Sequence, residues 1–346
     1  MKISPNKELK NLKSSNLLGL YTIFSTLIIF ICGLCTFDIS SFQFIIWPFG
    51  FTLTTLCLVR FLMLSHDIGH KILFSSNYLN NVCKIMVTSI TGLPIVFWSR
   101  GHHVHHRYNG NLSIYKGPLV IISIQEFLRL SLKTRKVYTQ SRNLFNIYIA
   151  SVLRYLIIPR LRLIPRFNIN IIGINSVYRY NLFGAIILAS QQLHVNKGEV
   201  IDTLIATFGF IVFLWSLSSF SIHILVVFLI SLSFSYFITD IVFHIQHNFN
   251  GSYACTKQIW SYDRAIFEGT ANISFPFYIN WFMANIGYHQ AHHLWPHLPF
   301  YHLKYADSMI PSSQKYNNLN LSDIGSCLRL ITWDIIESTY VAANHK

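Results

Sequence analysis

The chain has 346 residues, of which 52% are hydrophobic and only 12% charged, and its mean hydropathy is +0.41. That balance excludes an ordinary soluble globular domain and reads as an integral membrane protein. The net charge of +14 then belongs to membrane topology and attraction to anionic headgroups, with docking of an acidic partner as a second use; no nucleic-acid partner is expected.

A bilayer core about 30 Å thick needs roughly 20 apolar residues per helix. The first stretch that approaches this, 17–35, contains "CGLC", where Cys32 and Cys35 are expected to pack rather than to bind metal. A turn too short for a domain, "TFDISS" at 36–41, leads into the second stretch, 42–63. Arg60, near the end of that stretch, is expected to snorkel toward water. The histidine segment "HDIGH" (His66 to His70) follows directly, and "GHHVHH" follows at 101–106.

Two shorter apolar runs come next. Leu144 to Ile158 contains Arg154, and Leu182 to Leu193 would rise only about 18 Å as a helix; both are read as interfacial helices or lids over an apolar cavity. The remaining spans, 201–219 and 222–241, are joined near "SSFS" and form a second antiparallel hairpin. Beyond it lie "HIQHNF" and "HQAHH". Of the 27 Lys and Arg, four precede Ser14, sixteen lie between Leu64 and Val200, and six follow Ile241. Neither hairpin turn carries any, so both termini, 64–200 and 242–346 are expected on the cytoplasmic side. The expected fold is an all-α integral membrane protein, a single domain over 1–346. Four transmembrane helices in two hairpins support a cytoplasmic helical cap.

Every histidine segment reaches that same side. Residues three and four apart share a helical face, so His66 with His70, His102 with His105 and His106, and His289 with His292 and His293 each point one way. His103, offset by one, points elsewhere. Either His244 or His247 is a ninth candidate. Imidazole suits iron, zinc, copper or nickel, and one zinc takes three or four protein ligands, so eight or nine histidines suit a dinuclear site. His194, His223 and His345 are read as interfacial or core groups, and His297 and His302 as surface or supporting ones.

The segments "HDIGH", "FWSRGHHVHHRYNGNL", "FHIQHNF" and "NWFMANIGYHQAHHLWPHLPFYHL" resemble, in order, those of the membrane fatty-acid desaturase family, most closely its bacterial and cyanobacterial acyl-lipid branch. The likeness runs from about Phe51 to Tyr305. It implies that His66, His70, His102, His105, His106, His289, His292 and His293 hold two non-heme irons, with His247 as the additional ligand. Asp67 would accept a bond from an imidazole N–H. It further implies a cis double bond made with O2 and two electrons in an acyl chain, lipid-linked or carried on coenzyme A or acyl carrier protein, in a bacterial cytoplasmic membrane.

Neither a heme segment nor a cysteine cluster is present, so a separate ferredoxin or cytochrome b5-type donor is implied. "GNLSIYKG" departs from the branch's "GNLDRRG"-like stretch, and "HVNKGEV" at 194–200 extends the spacing to His247; loops of this kind around a site set substrate and partner choice. A di-iron hydroxylase or ketolase is the nearest alternative; a zinc hydrolase and a heme or metal carrier are more distant ones.

Overall fold

In the computed structural model, residue 9 and residues 11–38, 43–115, 117–164, 180–191, 195–311 and 317–343 are described. The predicted spans form helices at nearly the expected places: α1 (Asn16–Cys35), α2 (Gln43–Gly69), α6 (Lys197–Phe220) and α7 (Ile222–Ile245). Between them lie α3 (Asn77–Thr91), α4 (Ile95–Tyr108) and α5 (Leu144–Leu161). Among the described residues five helices, α1, α2, α5, α6 and α7, are long and apolar enough to cross a membrane.

Three of these helices outrun the expected spans, α6 mainly at its start, at Lys197 against 201. α2 continues six residues past 63 to Gly69, and α7 four past 241 to Ile245. At 1.5 Å per residue the extra length of α2 is about 9 Å, enough to carry a membrane helix into the histidine layer without a joint. α2 is also the centre of the bundle. From Cys57 to Leu64 no residue is more than 3% exposed, as expected of a helix surrounded on all sides.

Arg60 lies inside that run and does not snorkel. It is 2% exposed, its Nε donates to Thr26 Oγ1 at 2.9 Å, Nη1 donates to the Trp281 carbonyl, and the guanidinium lies 3.8 Å over the Trp281 ring. Because α2 extends nine residues beyond it, Arg60 is not at a helix end. Stacking and hydrogen bonds take the place of water. Cys32 and Cys35 also differ from expectation, since both are exposed on α1 rather than packed.

α3 and α4 meet at a 98° bend. Gly92 ends α3 in the left-handed region at φ 66°, its N–H donating to Thr88 O at 2.8 Å, and Pro94 precedes α4; both residues stop helices for known reasons. Proline gives α4 no side-chain cap. Asp202 of α6 supplies one from outside, accepting Val96 N–H at 2.8 Å, while Glu199 holds Arg100 through two contacts of 3.0 and 3.1 Å.

α5 is interrupted by a π turn at Leu153–Ile157, from which Arg154 reaches the buried Asp240 of α7. Ser151 Oγ and Tyr155 OH each donate to the same carboxylate at 2.8 Å. Leu182–Gln191 is helical, with Leu182, Ala185 and Ile186 buried; positions 192–194 lie outside the described residues. Small strands close the C-terminal part. β1 (Ile122–Ser123) pairs parallel with β4 (Thr332–Asp334), which pairs antiparallel with β5 (Thr339–Val341), and β2 (Asn272–Ile273) pairs parallel with β3 (Asn318–Leu319).

Candidate metal centre and apolar cavity

Four segments converge on one layer. The last turn of α2 carries His66, and His70 follows just past its end, its N–H donating to His66 O at 3.1 Å. α4 carries His102, His105 and His106. His247 stands two residues beyond α7. The short helix α8 (His289–Leu294) carries His289, His292 and His293, all at most 2% exposed.

The nine imidazoles divide into two groups: His66, His70, His102, His106 and His292 in one, and His105, His247, His289 and His293 in the other. Within each, the candidate donor atoms all lie within 4.8 Å of one another. The Nε2 atoms turn inward. In the first group His66 and His292 stand 2.8 Å apart, His106 and His102 2.8 Å, and His292 and His106 2.9 Å. In the second, His289 and His247 stand 2.7 Å apart, and His293 lies 3.1 Å from both His289 and His105.

This arrangement fits a metal better than it fits imidazole alone. A neutral ring has one N–H and one lone pair, so clustered Nε2 atoms cannot all satisfy one another. Nitrogens about 2.1 Å from a common ion would stand about 3 Å apart when adjacent in an octahedral shell, close to the observed spacings. Two of the far nitrogens, one in each group, agree. Asp67 Oδ1 lies 3.0 Å from His66 Nδ1, and Gly269 O lies 2.8 Å from His247 Nδ1. Each acceptor takes the Nδ1 proton and leaves Nε2 with its lone pair. Asp67 Oδ2 also accepts Phe300 N–H at 2.7 Å, tying α2 to the segment after α8.

Burial reinforces neutrality. Desolvation, with neighbouring imidazoles adding to it, lowers His70 to about 2 and holds His289, His292 and His293 well below the ordinary imidazole value. Burial lowers His247 to about 4, although its bond to Gly269 works the other way. These rings are neutral at pH 7, the form that binds a cation.

A family model for fatty acid desaturase matches residues 42–323. The chain belongs to the fatty acid desaturase family. It is 25% identical over 286 residues to a fatty acid desaturase of Bacillus subtilis (strain 168), an alignment covering 82% of this chain and 74% of that protein. It is also 25% identical over 272 residues to Delta(8)-fatty-acid desaturase 1 of Arabidopsis thaliana, covering 74% of this chain and 55% of that relative.

The histidine layer of this desaturase opens onto a cavity of about 250 Å³. Leu93, Phe97, Trp98, Ile158, Ile186 and Phe243 give it apolar walls, and His102 and His105, one from each group, stand in its lining. Trp98 stacks on His102 with ring centres 4.7 Å apart and planes 14° apart. Tyr115 packs against His105 at 5.1 Å, and burial pushes its phenol up to about 12, so it keeps its proton. An apolar cavity with few convergent polar groups is the usual form of a small-molecule site.

His103 is exposed and stands outside both groups. His244 also stands outside them, because its Nε2 meets Asn248 Nδ2 at 2.7 Å, and Asn248 in turn donates to Cys327 O and Leu330 O. His223 and His297 are exposed, and His302 Nε2 lies 3.2 Å from Lys13 O; His194 and His345 lie outside the described residues. Sequence reasoning gave no site role to Trp98, Tyr115, Arg154 or Asp240. The first had a usable signal, since Trp98 lies four residues before His102 and so shares its face.

Proposed function

We propose that this desaturase introduces a cis double bond into a lipid-linked acyl chain, using O2 and two electrons at a histidine-ligated di-iron centre. The observation that carries the reading is the pair of imidazole groups set against an apolar cavity into which each group sends a ring. His66, His70, His102, His106 and His292 would hold one ion, and His105, His247, His289 and His293 the other. Two irons held there would supply the oxidising power that removal of hydrogen from an unactivated methylene requires, and which no side-chain base provides.

The protein's own share is placement and exclusion. Asp67 and the Gly269 carbonyl hold the Nδ1 protons of His66 and His247, keeping the opposite nitrogens directed inward. Trp98 fixes the plane of His102. The aliphatic and aromatic walls align a chain beside His102 and His105 and keep water from it.

For topology, we read four crossing helices, α1, α2, α6 and α7, in one domain over 1–346. The termini, 64–200 and 242–346 then lie on the cytoplasmic face of a bacterial membrane. Supporting this are the hairpin connections without Lys or Arg. α5 is best read as a lid: at 18 residues it is the shortest of the five apolar helices, and it is tied to α7 through Arg154. Electrons would come from a separate ferredoxin or cytochrome b5-type protein, for which the chain's net charge of +14 suits an acidic docking face.

The test is co-expression with a ferredoxin and its reductase in a bacterial host, followed by gas chromatography and mass spectrometry of total fatty acids. A new unsaturated chain, absent with His293→Ala and present with His103→Ala, is expected. Hydroxylated chains in its place would overturn the assignment.

A further inference from the structure

Gly101 stands in the middle of α4, immediately before His102. A glycine in a helix interior weakens the helix relative to alanine, so its presence asks for a local reason. Packing supplies none. A Cβ built at Gly101 meets no heavy atom within 4 Å, whereas one at Gly92 would come within 2.9 Å of Leu156 and one at Gly209 within 2.1 Å of Ser89. Backbone conformation supplies none either, since Gly101 is helical and is not among the glycines of positive φ.

The open space in front of Gly101 is the cavity itself. Phe97, Trp98, Gly101, His102 and His105 form one stripe of α4, at spacings of one, three and four residues, and all five line it. Four of these positions present rings. The fifth presents nothing, and it lies between Trp98 and His105, beside the two histidines that reach the cavity.

We infer that Gly101 is a specificity-determining position. The missing side chain is the room through which an acyl chain passes alongside His102 and His105, so the bulk of residue 101 sets the length of chain admitted. This deepens the proposed function and rests on it for the nature of the occupant. A side chain at 101 grows from a wall that nothing else occupies, into the space that the substrate needs.

The series Gly101→Ala, Gly101→Val and Gly101→Phe tests this in the full chain, reconstituted in lipid nanodiscs. A fluorescent polyene fatty acid is the bound probe, and saturated fatty acids of graded length displace it. Metal per chain and the unfolding temperature are measured on the same samples. Affinity for the longest chain held by the wild type should fall about twofold to threefold with Ala and more than about tenfold with Phe, a tenfold loss being about 1.4 kcal/mol. Shorter chains should lose little. Bound metal should stay constant, and Gly101→Ala should unfold no earlier than the wild type.

Equal affinities through the series would overturn the inference, as would a wild type that binds no fatty acid. Losses uniform over all chain lengths and matched by loss of metal would also overturn it, by assigning Gly101 to the helix alone; the Ala variant guards against misfolding of the Phe one. A wild type that binds in graded fashion but yields no double bond in the expression test would sink the proposed reaction and leave the gauge standing.

Discussion

Asp67 bridges two parts of the chain that lie more than two hundred residues apart, with Oδ1 at 3.0 Å from His66 Nδ1 and Oδ2 accepting the Phe300 N–H at 2.7 Å. The carboxylate thus orients one ring of the first imidazole group and anchors the segment that follows α8. Replacing it by Asn keeps the shape and removes the charge. We expect Asp67→Asn to lower metal affinity about 10- to 100-fold, read as metal retained against a graded chelator. Unchanged retention would reduce Asp67 to a backbone anchor.

The neighbouring histidines at the end of α7, His244 in its last turn and His247 just past it, separate by partner. His247 gives Nδ1 to a carbonyl and Nε2 to the second group, while His244 is engaged by Asn248. His247→Ala should therefore release metal and abolish product. His244→Ala should leave bound metal at the wild-type level and lower the unfolding temperature. Metal analysis of the two purified variants decides between them, and equal metal loss in both would reject the partition.

Asp240 accepts from Ser151, Arg154 and Tyr155. Removing one partner of a buried pair leaves an uncompensated charge and costs about 3–5 kcal/mol. Asp240→Leu should thus be strongly destabilising, seen as early thermal unfolding in detergent. The double change Asp240→Leu with Arg154→Met should recover most of the loss. Failure of that rescue would show that the carboxylate serves the cavity rather than Arg154.

Stability of the chelator-stripped protein should depend on pH with a definite sign. His70, His247, His289, His292 and His293 have folded values below the ordinary imidazole value of about 6.5, so between that value and their folded ones the unfolded chain binds more protons than the folded chain. Stability must then fall as pH falls from 7 to 5. Each ring still neutral one unit below 6.5 costs about 1.4 kcal/mol there. A flat profile of unfolding temperature against pH would mean that these rings are already protonated in the folded stripped protein.

Much of the layout is legible in local pattern. Apolar runs of membrane length placed α1, α2, α6 and α7, because the period and length of a helix are properties of the segment itself. Spacings of three and four placed His102, His105 and His106 on one face, and His289, His292 and His293 on another, for the same reason. The left-out position, His103, follows from the offset of one residue.

What local pattern could not contain is how the helices cross. The imidazole partition cuts through the boxes: His102 and His106 join His292, while His105 joins His289 and His293. Pairs four apart stay together, and the residue three from the box's first histidine faces the other group, a division that exists only once α4 and α8 meet. The choice of His247 over His244 depends on Asn248 and on carbonyls near position 330, and the burial of Arg60 depends on Trp281, 221 residues away. The same holds for Arg154, which interrupts an apolar run in the sequence and finds its carboxylate only on α7. Helical periodicity is set by neighbours along the chain. Partners for a charge or a metal are set by neighbours in space, and those are decided by tertiary packing.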